Sequence, residues 1–157
     1  MINGEKLQSI EDILYSENET EIIDKINNIN DSKMLHVLTG NYNLNDGFNI
    51  PNAILNNENC DLGTALLMFH LADGYTFLTD VGLHKNSHLL SGWKLAWWEF
   101  IKPLFHKIVA KEFPKTLIKY IPDFTNSQKI KLKKVNDNIP SIVIDGVDGE
   151  EVLIPNL

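Results

Sequence analysis

The run Leu66-Leu67-Met68-Phe69 lies inside a helical pattern of Leu62, Ala65, Leu66, Phe69 and Ala72, and it makes that helix apolar nearly all round. A helix without a polar face has to be enclosed by other elements. With 157 residues, 43% of them hydrophobic, the chain is large enough to enclose it as one domain without disulfide or metal staples. Asp61 stands where a carboxylate caps a first turn, and Gly74 stands where the helix ends. The expectation is a single domain, 1-157, assembled around this core helix.

The rest of the first half reads as short helices. Leu7, Ile10, Ile13 and Leu14 recur at helical spacing, and Asn18 with Glu21 forms a capping-box pattern ahead of Ile22, Ile23, Ile26 and Ile29. A third helix starts near Asp31 or Ser32 and stops at Gly40. Asn43 to Gly47 is rich in turn-forming side chains, and Pro51 suits the first turn of a short helix carrying Ala53, Ile54 and Leu55. Beyond a loop over Gly82 to Ser91, a wide apolar stripe runs from Trp93 to Ile108, with Pro103 predicting a kink or two abutting helices. Pro114 restarts a short helix with Leu117, Ile118 and Ile121, and Pro122 stops it. From there Ile130 and Leu132 alternate with lysines, Ile142 and Ile144 follow, and Gly146 to Gly149 is turn-like before Val152 and Ile154. The predicted fold is therefore mainly α (α+β). It is a compact bundle of six to eight short helices over 1-122, with a small C-terminal antiparallel β-meander over 128-157.

Three pieces of the central block stand out together: Asn41-Tyr42-Asn43-x-x-Asp46-Gly47-Phe48-x-Ile50-Pro51, Asn59-Cys60-Asp61-x-Gly63-Thr64-Ala65-Leu66 and Ala72-Asp73-Gly74. As a composite they resemble the signature of a bacterial family known as a domain of unknown function, number 4274. Members of that family often place Trp and Asp where this chain has Leu44 and Asn45, a difference that removes a carboxylate beside Asp46. The family has no established activity, so the resemblance implies kinship and no mechanism. Gly40, Asp46-Gly47, Pro51, Asp61 and Gly74 read first as stops, turns and caps, and Tyr42, Asp46, His70 and Asp73 are the residues of the block kept as candidates for a binding site.

Charge is uneven along the chain. Residues 1–80 carry three Lys against 13 Asp and Glu, a net −10, whereas residues 81–134 carry 11 Lys against three acids, a net +8. Residues 135–157 add five acids and no Lys. An acidic first half favours a basic partner. All 14 basic residues are Lys, and the absence of the bidentate guanidinium argues against nucleic acid. The single Cys60 excludes an internal disulfide and fits a reducing cytoplasm. Met1 to Glu17 has no signal-peptide pattern, and no apolar run is long enough to span a membrane.

Several constellations bear on chemistry. His84 and His88 lie four apart, but the residues between them read as loop and no third ligand is near, so no metal site is predicted. No motif calls for a cofactor. Cys60 with His70 offers a nucleophile and a base on spacing alone. His36, His70 and Asp46 offer an acid-base cluster if the fold brings them together, and this is the enzyme alternative. If Tyr42, Asp46 and Asp73 share one exposed rim, they make an acidic patch with an aromatic anchor for a basic protein. Trp97 and Trp98 point about 100° apart on a helix, and exposure of either marks an interface, including one with a second copy in a homodimer. The favoured expectation is a small soluble cytoplasmic protein-binding protein, most concretely an immunity protein against a basic toxin domain. A structural or homo-oligomeric role is the third reading.

Overall fold

Side-chain caps set most of the helix starts in the computed structural model, which describes residues 1–157. Asn3, Asn18, Asp31, Asp61, Asp80 and Thr125 each accept a hydrogen bond from a backbone N–H two or three residues on. They open α1 (Gly4–Leu14), α2 (Glu19–Asn27), α3 (Ser32–Asn41), α5 (Leu62–Leu71), α7 (Val81–Lys85) and α9 (Asn126–Val135). Between and after these lie α4 (Asn49–Asn56), α6 (Gly74–Thr79), the long α8 (Gly92–Val109) and α10 (Ser141–Asp145). Two single 3₁₀ turns, Leu44–Asp46 and Ser87–Leu89, complete the set.

The core helix is where its sequence puts it. Ala65, Leu66, Met68 and Phe69 on α5 are fully buried, and α5 packs against α3, α6 and α8. α3 also packs against α1 and α4, and α2 packs against α4. One cluster of 34 buried apolar residues runs through the chain from Ile10 to Ile144.

The expected C-terminal meander does not exist. The structure is all helical, with ten α-helices and no sheet, so both the α+β class and the count of six to eight helices are corrected. Residues 126–135 form α9 because Thr125 and Gln128 make a reciprocal capping box. The alternation of Ile130 and Leu132 with lysines looked strand-like, but only Leu132 is buried, and Ile130 is 54% exposed. What remains of pairing in this region is two isolated bridges, Ile118 with Glu150 and Tyr120 with Val147. The second depends on Gly146, whose φ of +80° suits glycine and where a Cβ would meet the Tyr120 carbonyl oxygen at 2.0 Å, and at the first a Cβ on Gly149 would lie 2.5 Å from the Leu117 carbonyl oxygen.

Other local expectations also shift. Residues 82–91 form α7 and a 3₁₀ turn in place of a loop, and no helix restarts at Pro114. α8 runs unbroken through Pro103. The segment after α8 is instead pinned to the start of α5. The fully buried Asp61 carboxylate accepts from the N–H groups of Gly63, Leu117 and Ile118 at 2.8, 2.7 and 3.3 Å. Leu62 N–H donates to the Lys115 carbonyl at 2.8 Å. Gly63 allows the approach, since a Cβ there would lie 2.3 Å from the Ile118 carbonyl oxygen.

Candidate functional site

Two clefts flank the 3₁₀ turn Leu44–Asp46. The first, about 430 Å³, lies between that turn, the end of α5, α6 and the start of α8. Leu44, Phe48, Leu71, Trp93 and Trp97 supply its apolar walls, and Asn45, Asp73, Thr76 and Lys94 its polar groups. Trp93 is 52% exposed, yet its ring stacks on Phe48 at 4.9 Å, and Phe48 stacks on buried Phe100 at 4.6 Å. A column of aromatic rings thus runs from the mouth of the cleft into the core. Trp97 is buried, and its indole N–H donates to the Ala72 carbonyl at 2.6 Å.

The second cleft, about 300 Å³, lies on the other side of the turn, against the α1–α2 connection. Tyr42 and Asp46 line it together with Glu17, Glu19 and the apolar Ile13, Ile22 and Leu157. The Tyr42 hydroxyl donates to the Gly47 carbonyl at 3.3 Å. Burial pushes its pKa up to about 12, with the Asp46 and Glu19 charges adding to the effect. Asn43 shapes the turn between the clefts, accepting from Asn45 N–H at 3.1 Å and donating to Asp46 at 3.3 Å. Asn41 ties residues 155–157 beside it, donating to Pro155 O and accepting from Leu157 N–H.

The residues singled out from sequence therefore divide. Tyr42 and Asp46 sit in one cleft, Asp73 and Trp97 in the other, so the three polar residues do not share one rim but lie on two sides of one turn. His70 and Trp98 are in neither. The His70 Nε2–H donates to the Val143 carbonyl at 2.9 Å, and its ring packs between Tyr120 and Phe124. Trp98 is buried against Phe77 and His84, with the Lys102 ammonium 5.4 Å from its ring. With both Trp97 and Trp98 buried by the chain itself, they offer no broad patch to a second copy.

The acid-base constellations do not assemble. His36 is buried on α3 and shares a 3.0 Å hydrogen bond with Thr64. Asp46 is exposed at the turn, and His70 holds its carbonyl on α10. Burial lowers the pKa of both His36 and His70 to about 4, leaving neutral rings with structural partners. Cys60 is buried, and its thiol is pushed up to about 12 by burial and then by the Asp61 charge, far from a reactive thiolate. His84 bonds the Phe77 carbonyl at 2.6 Å. No three His, Cys, Asp or Glu side chains come together as metal ligands.

Sequence reasoning missed Trp93, Phe48 and Lys94 as cleft residues, and Glu17 and Glu19 as neighbours of Tyr42. Trp93 opens the α8 stripe one turn before Trp97, so its end position on the helix was the available signal.

The fold and clefts define an all-helical module with an aromatic cleft and an acidic cleft, and no helix long and apolar enough to cross a membrane. The family model described as Domain of unknown function (DUF4274) matches residues 30–109, which cover α3 to α8, and the chain belongs to that family. No curated protein and no solved structure matches it.

Proposed function

We propose that this chain is a protein-binding module whose partner is a basic protein. The observation that carries this reading is the pairing of the two clefts across Leu44–Asp46: an aromatic cleft with exposed Trp93 beside a cleft that holds Glu17, Glu19 and Asp46. An exposed aromatic ring backed by the core suits an interface anchor, because little side-chain freedom is left to lose on binding. The neighbouring carboxylates steer a positively charged surface and reject a negative one. None of the three makes an ion pair within the chain; Glu19 and Asp46 each accept one amide hydrogen bond, from Asn49 and Asn43, and their negative charge stays unneutralised.

A toxin domain neutralised by this chain in the bacterial cytoplasm is the specific form of this reading. It requires that the captured partner arrest growth when expressed alone and that co-expression of this chain restore it.

The test begins by capturing the partner from native cells with the purified chain and then titrating the purified partner by calorimetry. The double reversal Glu19→Lys/Asp46→Lys lies on exposed positions; it removes the Asn49–Glu19 and Asn43–Asp46 hydrogen bonds and puts a cation at the start of α2, so it is expected to lower the melting temperature by a few degrees only while weakening affinity at least about tenfold. Binding is also expected to weaken as salt rises. An affinity indifferent to both reversal and salt contradicts the reading.

A further inference from the structure

Asp73 closes one side of the aromatic cleft and has capacity left over. Its Oδ1 accepts the Thr76 N–H at 3.2 Å, and its Oδ2 has no partner within the chain although the residue is exposed. One face of the neighbouring Trp93 ring is covered by Phe48, and half of that residue remains open to solvent. A purely apolar occupant of the cleft would strip water from the free carboxylate oxygen and give it nothing in return. A side chain with an apolar stem and a cationic head satisfies the aromatic wall and the carboxylate together.

We propose that this cleft seats one arginine side chain of the partner, with its stem and guanidinium plane along Trp93 and its N–H groups donating to Asp73 Oδ2. Arginine fits better than lysine because the planar guanidinium stacks on an aromatic ring while it donates in a fixed fork. The proposal rests on the protein-binding reading and names the group that binding recognises. Lys94 is the one cation on the cleft lining and makes no ion pair, so it opposes such a guest and sets a sign for the test.

The probe is the peptide acetyl-Gly-Arg-Gly-amide, with its neutral citrulline counterpart as control, titrated while the Trp93 indole and the Asp73 to Thr76 amides are followed by NMR. The arginine peptide is expected to shift these signals with millimolar affinity, and the citrulline peptide to bind about tenfold more weakly. Asp73→Asn keeps a capping oxygen and tolerates the left-handed backbone, φ 62° and ψ 48°, so its melting temperature is expected to hold. Its affinity for the arginine peptide is expected to fall about tenfold, while Lys94→Ala tightens binding. Equal binding of the arginine and citrulline peptides, or arginine binding unchanged in Asp73→Asn, overturns the proposal. If the captured partner depends on Glu19 and Asp46 but is indifferent to Asp73→Asn, the arginine seat fails and the broader reading stands.

Discussion

Asp61→Ala is expected to cost about 3–5 kcal/mol of unfolding free energy and to lower the melting temperature by roughly 10 °C. The carboxylate is fully buried, and three backbone N–H groups depend on it: Gly63 in the first turn of α5, and Leu117 and Ile118 in the segment that returns from α8. Truncation leaves those donors without acceptors, and because Gly63 and Ile118 are buried the penalty includes their desolvation as well as the loss of a cap. Asp61→Asn retains one carbonyl oxygen and is expected to lose roughly half as much. Chemical denaturation of the purified variants measures both. A loss below about 1 kcal/mol for the alanine variant contradicts the role given to this residue.

Acidification is expected to weaken the fold through two histidines. His36 and His70 are held at about 4 by burial, and in His70 the bond to the Val143 carbonyl opposes that shift without cancelling it. In the unfolded chain both titrate near 6.5, so below that pH the unfolded state binds more protons than the folded one. Stability therefore rises with pH through this window. It is fully present above about 6.5 and is lost as pH falls toward 4. The loss reaches about 3 kcal/mol for His36 and less for the partly exposed His70. Urea midpoints compared at pH 7 and pH 4.5 detect it. The double variant His36→Gln/His70→Gln is expected to flatten the dependence over that range, and an unchanged slope contradicts the assignment.

Three aspartates of the family signature look alike in sequence and do different work in the fold. Asp46, Asp61 and Asp73 all stand at turns or helix starts, where the first expectation for each is a cap. Asp61 fulfils it with all its acceptors inward. Asp73 caps α6 through one oxygen and leaves the other free, and Asp46 takes a single bond from Asn43 beside the exposed turn. Local spacing predicts a cap; it does not reveal how many acceptors remain, because that is set by residues such as Leu117 that arrive from 56 positions away.

The same limit explains what was legible in the fold. Helices whose start signal and apolar stripe are both local, such as those opened by Asn18, Asp31 and Asp61, were readable. The core place of α5 followed from its lack of a polar face. The alternating Ile-Lys-Leu-Lys pattern of α9 suits a strand as well as a helix with one buried position, and the local signal that decides for the helix is the Thr125–Gln128 capping box. The site was half legible. Tyr42, Asp46, Asp73 and Trp97 do line the clefts, but their division between two sides of Leu44–Asp46 and the exposure of Trp93 are set by packing among α1, α5 and α8. His70 drew attention as an ionisable group on the core helix, and its partner, the Val143 carbonyl, lies 73 residues away.

The measurement that most directly tests the placement of function at these two clefts is amide hydrogen exchange of the chain with and without its captured partner. Protection on binding is expected at residues 17–19, 42–48, 71–76 and 93–97, the stretches that border the clefts, with the lysine-rich face of α9 unchanged. Protection confined to α9, or to the exposed Leu117 and Ile121 segment, would contradict it and move the interface to the opposite charge.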